Sequence, residues 1–378
     1  MTAEPRWRVG RLRRATRNLL LPLDLNGRPL LIKYTRNAGE ARQEISGHAH
    51  LVHHYRVPAL HAQLRVPGGW LLAYERLPYG PDRGLLLDLL NREKPSAELL
   101  RYMDELTKTY GRVILDTAQE AAPSSIVRKL YWDRAVPGGR LDTYYEDSSF
   151  AVADGMVDLP VTRLAEYVLV VNGRPLRIGW TATLRRLRSH YQQSEPVWAA
   201  LTQGDPTDVN LANPLGWLDY DTAGLNSILG EFANFLWYTT ALGGWLVPTY
   251  NPAAFADHPA TFDCVTVNRP TLQQVRVNHV ARTIHVDYAA ALAASRRAAA
   301  ASYWDRLVLP VADKFWPDRN LGELLRPYVA MRILTVYNLA DLAPTDRLLL
   351  LVRLAEAMSP SFDPATFFFT QEAPCAAP

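Results

Sequence analysis

Residues 203–224, QGDPTDVNLANPLGWLDYDTAG, hold three acceptor side chains of the kinds that phosphoryl transfer needs. Asp205 comes first, Asn210 stands five residues on, and Asp219 follows a short apolar run. A carboxylate takes the proton of an attacking hydroxyl, while an amide oxygen and a second carboxylate hold magnesium beside nucleotide phosphates. The Asp-to-Asn spacing matches that of a phosphoryl-transfer loop. The expected local form is a loop followed by a tight hairpin, NLAN against GWLDY, turning at Pro214 and Leu215. That hairpin would bring Asn210 and Asp219 to neighbouring strand ends, with Asp205 beside them facing the acceptor hydroxyl. Asp221 is the other candidate ligand; Asp219 is preferred because it directly follows the apolar strand.

The elements that must position these groups can be read upstream. Residues 18–34 carry two apolar runs around Asn26-Gly27, a dipeptide that suits a type I′ turn, so a hairpin is expected with Lys33 near its end. The next segment reads as a helix, with Ile45, Ala49 and Val52 on its apolar face and Glu44 at the edge of that face. A strand lysine and a helix glutamate can form the ion pair that aims the lysine at the α- and β-phosphates of ATP. The plainer reading is two solvated charges. Residues 70–74 form a short apolar strand that breaks at 77–80, so the backbone around Glu75 and Leu77 is the expected hinge that hydrogen-bonds adenine. His48, His50, His53 and His54 stand on the same predicted helix, but no further ligand completes a tetrahedral site, and a surface cluster is expected.

Beyond the hinge, Leu99, Leu100, Met103, Leu106, Tyr110, Val113 and Ile114 mark a long amphipathic helix over 96–119. Residues 134–160, rich in Gly, Asp, Ser and Pro, read as a loop or insertion. NGRPLRI at 172–178 repeats NGRPLLI at 26–32, which is the same turn chemistry used twice and too short for a repeated domain. Residues 225–248 are nearly apolar, yet Asn226, Glu231, Asn234 and Gly243-Gly244 interrupt them, so a buried helix is expected rather than a membrane span. Two alternating runs within 262–288 read as an inserted hairpin, and helices with a disordered tail at 371–378 complete the chain.

Composition sets the outer bounds. A chain of 378 residues, 48% hydrophobic, is long enough for two lobes. Cys264 and Cys375 make no disulfide framework or zinc spacing, and the arginine-rich N-terminus lacks the apolar stretch of a secretion signal, so a cytoplasmic protein is expected. Residues 1–80 hold 13 Lys and Arg against 5 Asp and Glu, a net of +8, and the remainder carries −5. Because aromatic residues are not interleaved with the basic ones, a nucleotide's phosphates are the expected anion and nucleic acid is not.

Taken in order, IK at 32–33, Glu44, YERLP at 74–78, GDPTDVN at 204–210, LDYD at 218–221 and the apolar helix with Glu231 resemble the aminoglycoside phosphotransferase and choline kinase-like family. The resemblance implies an α+β, bilobal protein-kinase-like fold, with a small β-rich N-lobe over 1–79 and a larger, mainly helical C-lobe over 80–370 that carries hairpin insertions. It also implies ATP and magnesium, Asp205 as base, Asn210 and Asp219 as metal ligands, and Lys33 paired with Glu44. Gln203 departs from the family, which has histidine there; an amide can still hold the loop by hydrogen bonds. Polycationic acceptors favour acidic pockets, and the C-terminal part is only mildly acidic, so the expected acceptor is a small polar alcohol rather than an aminoglycoside in particular. A Ser or Thr hydroxyl of a peptide is the alternative acceptor, prompted by the two hairpins. A nucleotide-binding pseudokinase is the alternative of another class.

Overall fold

Asn26 and Gly27 take left-handed backbone, φ 55° and 79°, and this turn folds Asn18–Leu25 against Arg28–Thr35 with Leu20 opposite Lys33. The computed structural model describes residues 7–15, 18–77, 84–146, 149–290 and 292–369. Arg28–Thr35 pairs in turn with Gly69–Glu75, and Leu60–Val66 lies beyond it. The short strands Trp7–Val9 and Arg13–Ala15 both pair with Asn18–Leu25, giving a six-stranded sheet.

Helix Ala38–Leu51 lies against this sheet and starts where the Asn37 side chain accepts the N–H groups of Gly39 and Glu40. Its buried stripe is Ala41, Glu44, His48 and Leu51, whereas Ala49 and Val52 of the expected face are exposed. The helix is thus rotated so that Glu44 points inward, a placement possible only because Lys33 and Tyr74 meet its carboxylate. His48 leaves the expected surface cluster for the same reason: it is buried, with Nε2 2.8 Å from the Pro58 carbonyl.

The second lobe is mainly helical. Helix Ala97–Thr117, capped by Ser96, buries Leu99, Met103, Leu106, Tyr110, Val113 and Ile114, while Leu100 is 50% exposed and falls off that face. Ile228–Trp237 is wholly buried and continues into the wider turns of Tyr238–Leu246, and Leu321–Thr335 packs beside it. No helix among the described residues is long and apolar enough to cross a membrane.

Two expectations change here. Residues 134–160 are not one loop: helix Arg140–Tyr145 and the paired strands Ala151–Ala153 and Val157–Pro160 bury Leu141, Tyr145, Val152, Val157 and Leu159. Elements this short show no hydrophobic period, and turn residues dominate their composition. The two hairpins, each found where it was expected, are not separate insertions. Val168–Val171 runs parallel to Thr283–Ala289, which joins both hairpins into one four-stranded sheet. The tail at 371–378 and the break at 78–80 lie outside the described residues.

Candidate active site

Val197–Thr202 pairs antiparallel with Gly224–Ser227, and Thr202 faces Gly224, so residues 203–223 form one excursion whose ends are pinned together. Inside it, Leu211–Asn213 pairs with Gly216–Trp217, and the Leu218 N–H donates to the Asn210 carbonyl at 2.8 Å. This is the expected hairpin, and it sets Asn210 next to the segment that carries Asp219.

Gln203 holds the excursion closed. Its Oε1 accepts the Asp205 N–H at 2.8 Å, and its Nε2 donates to the carbonyls of Leu218 and Asp219 at 3.0 and 2.7 Å. One planar amide with an acceptor and two donors therefore ties Asp205 to Asp219. Gly204 has φ 83°, and a Cβ there would lie 2.3 Å from the Thr222 carbonyl oxygen, so the turn into Asp205 requires glycine. Asn234 Nδ2 donates to Asp205 Oδ1 at 2.8 Å, and Asn210 Nδ2 donates to the Asp205 carbonyl at 3.0 Å. The Asp205 side chain is fixed on one side and remains 31% exposed.

Lys33 bridges the lobes. Its Nζ lies 2.7 Å from Glu44 Oε2 and 2.8 Å from Asp219 Oδ1, and Tyr74 donates to the other Glu44 oxygen at 3.0 Å. With Lys33 and Glu44 both sheltered, the solvated-charge reading of this pair does not describe the fold. Burial alone would lower the Lys33 ammonium, but Asp219 and Glu44 outweigh it and hold it above its ordinary value. Burial pushes Glu44 up to about 7 against the pull of Lys33. Withdrawal from bulk water would raise Asp219 as well, yet Lys33 keeps it below the ordinary carboxylate range and therefore ionised.

Asp219 also has φ 56°, a left-handed backbone that aspartate adopts more readily than most residues with a side chain. Asp221, by contrast, is raised by burial and by Asp219, and its carboxylate is engaged by Lys129. The Asn210 amide oxygen and the ionised Asp219 are hard oxygen donors of the kind magnesium takes one or two at a time, completing its shell with phosphates and water. No cluster of three His, Cys, Asp or Glu side chains fit for a metal occurs among the described residues, and this donor pair does not call for one.

The helix that carries Glu44 is docked on the Asp219 segment by backbone contact. A Cβ on Gly47 would come within 2.0 Å of the Tyr220 carbonyl oxygen, so only glycine lets the helix approach closely enough for Lys33 to span both carboxylates. At the expected hinge, the Glu75 N–H donates to the Ala59 carbonyl at 2.8 Å and the Arg76 N–H to the Pro29 carbonyl at 3.0 Å. These two N–H groups belong to the sheet.

Two buried acids behind the loop were beyond sequence reasoning or only half seen by it. Asp208, inside the GDPTDVN run, meets Arg296 at 3.0 Å with both side chains 0% exposed; Arg296 comes from helix Ala294–Tyr303. Nothing in the run SRRAAA distinguishes the buried Arg296 from Arg297. Glu231 accepts the hydroxyls of Tyr110 and Thr202, each at 2.9 Å, and burial pushes it up to about 7.

Glu231 gives the fold a pH dependence of known sign. Between pH 4.5 and 7 the unfolded chain loses this proton while the folded chain keeps it, so its contribution to stability is full at low pH and is lost as pH rises through 7. The non-ionising Glu231→Gln should gain about 3 kcal/mol on the native protein across that window, from 1.36 kcal/mol per pH unit. Urea unfolding of both proteins at pH 5 and pH 8 measures this, and parallel pH dependence would show that Glu231 is ionised in the fold.

No family model matches this chain, and no curated protein matches it. Solved structures do. Aminoglycoside phosphotransferase APH(4)-Ia superposes with a TM-score of 0.51 at 12% identity, over 93% of this chain and 94% of that one. The microcompartment-associated aminopropanol kinase covers 94% of this chain and 92% of its own length, with a TM-score of 0.44 at 13% identity. The chain has the bilobal, kinase-like α+β fold of the aminoglycoside phosphotransferases, as expected from its sequence.

Proposed function

We propose that this chain is an ATP-dependent phosphotransferase that moves the γ-phosphoryl group to a hydroxyl of a small polar molecule. The observation that carries this reading is Lys33 held between Glu44 and Asp219 at 2.7 and 2.8 Å, with Asp205 strapped to the same segment by Gln203. In this reading Lys33 meets the α- and β-phosphates, and Asn210 and Asp219 hold magnesium. A magnesium ion bound there would neutralise charge on the β- and γ-phosphates. Asp205 accepts the hydroxyl proton as the acceptor oxygen bonds to the γ-phosphorus; the bond from that phosphorus to the bridging oxygen breaks, and its electron pair leaves with ADP. Adenine would meet the backbone near Leu77. Under this reading the protein works in the cytoplasm, where ATP is supplied.

Calorimetric titration with ATP, with and without magnesium chloride, tests the assignment. Magnesium should strengthen ATP binding, and Asp219→Ala should remove that gain, lowering ATP affinity by roughly tenfold or more, as loss of a charge-paired ligand costs above 1.4 kcal/mol. Asp221→Ala should retain the magnesium effect. The opposite pattern would exchange the two aspartates, and ATP binding without turnover would favour a nucleotide-binding pseudokinase.

A further inference from the structure

Arg332 lies in the last turn of helix Leu321–Thr335 and is 4% exposed. Among the described residues its guanidinium donates no hydrogen bond, and its buried Nε is unpartnered. Its nearest carboxylate oxygen, Asp205 Oδ1, stands 3.8 Å away, beyond hydrogen-bonding reach, and already accepts from Asn234. Three residues on, the Thr335 carbonyl accepts from two further guanidinium groups, Arg134 Nη1 at 3.1 Å and Arg140 Nη1 at 2.6 Å.

Arg134 and Arg140 have a structural task, since they cap the C-terminal carbonyls of that helix and complement its dipole. Arg332 has none. A buried guanidinium without a hydrogen-bonded partner is strongly destabilising, and a chain that keeps one implies an anion that completes it. Among the described residues the neighbourhood does not supply that anion. Lys129 engages Asp221, Arg188 engages Asp142, and the buried Glu231 is pushed towards its neutral form. Burial, then Arg332 and Arg140, press the Arg134 guanidinium well below its ordinary value, and Asp205 offsets only part of this. Among the described residues Asp205 is thus the one carboxylate within 4 Å of Arg332, and it also acts on Arg134. The three arginines come from the helical lobe, whereas Lys33 and Glu44 come from the sheet lobe.

We propose that the acceptor is an anionic alcohol whose carboxylate or phosphate group is held by Arg332, with Arg134 and Arg140 beside it, while its hydroxyl faces Asp205. This rests on the phosphotransferase reading and names its substrate class. A planar guanidinium suits both oxyanions, since each offers two oxygens to its fork of donors. The same cluster repels polycationic acceptors.

The full-length protein, loaded with ADP and magnesium at low ionic strength, is titrated with four probes of one skeleton: glycerate, glycerol phosphate, glycerol and 3-aminopropane-1,2-diol. The expected result is that one or both anions bind at least tenfold more tightly than glycerol, with the amine weakest; which anion leads separates a carboxylate acceptor from a phosphate acceptor. Arg332→Met should abolish this preference with ADP affinity held within twofold, Arg332→Lys should restore part of it, and the exposed Arg140→Ala should weaken the anion at least threefold. Equal or absent binding of all four probes overturns the proposal, and so does tightest binding of the amine. An anion preference that survives in both Arg332→Met and Arg140→Ala overturns the assignment to these arginines. If Arg332→Met instead weakens the non-hydrolysable analogue AMP-PNP relative to ADP and leaves the anions unaffected, the guanidinium serves the transferred phosphoryl group and the proposal fails. A protein that binds the anions but not ADP sinks the phosphotransferase reading while leaving the anion site standing.

Discussion

Asp205→Asn is expected to lower the rate of ADP formation by about a hundred- to ten-thousandfold while the protein folds as before, because general-base transfer is worth about 10²–10⁴ and the amide takes no proton. The substitution preserves shape. The amide introduced at position 205 would still present an oxygen to Asn234 Nδ2, and the backbone bonds to Gln203 Oε1 and Asn210 Nδ2 are untouched. Its nitrogen would face the open side of a side chain that is 31% exposed, and the one cost is that the buried Arg332 guanidinium, 3.8 Å from Oδ1, loses the charge of its nearest carboxylate. The melting temperature should therefore fall by no more than about 2 °C, which for a chain of 378 residues corresponds to roughly 1.6 kcal/mol. Coupled measurement of ADP release, beside calorimetric titration of ADP, separates chemistry from binding. A variant that turns over within threefold of the native protein would remove Asp205 from the role of base, and one that loses ADP binding would show that it shapes the nucleotide site instead.

Arg296→Met is expected to have the largest effect on stability, a loss of about 3–5 kcal/mol in urea unfolding, as for removal of one partner of a buried ion pair. Arg296 and Asp208 are both inaccessible, and one Asp208 oxygen already lacks a hydrogen-bond partner. Without the guanidinium, the carboxylate would either stay charged in a dry interior or take up a proton, the direction in which burial already pushes it. Arg296 also donates to the Thr239 carbonyl at 3.1 Å, so its loss frees a backbone acceptor as well. The double variant Asp208→Asn with Arg296→Met should recover most of the stability, since the unpaired charge is gone. A loss below about 1 kcal/mol in the single variant would show that water or relaxation reaches the pair. Because Asp208 sits in the loop between Asp205 and Asn210, the single variant should also weaken turnover in the folded fraction.

The same loop shows how far local signals reach. Asp205, Asn210 and Asp219 are near neighbours in the chain, and two turn positions and one apolar strand are enough to bring them together. The two Asn-Gly hairpins were legible for the same reason, since backbone that favours positive φ at Asn26, Gly27, Asn172 and Gly173 is a property of those residues. Helix Ala38–Leu51 shows the limit. Its existence was legible, but its inward face was not, because Glu44 is buried by partners, Lys33 and Tyr74, that lie on separate strands.

Residue types and short spacings by themselves marked the Asn-Gly hairpins, the loop that carries the three acceptors, and a strand lysine and helix glutamate able to pair; the kinase-like order of elements followed from the family resemblance. Tertiary structure alone decided which charges are buried and what faces them. Gln203 reaching Asp219, Arg296 reaching Asp208, Lys129 engaging Asp221, and Arg332 lying near Asp205 all join residues that are distant or unmarked in the chain. The physical reason is that periodicity and turn chemistry act over a few residues, whereas the free energy of a charge depends on every group within several ångströms, whatever its place in the sequence.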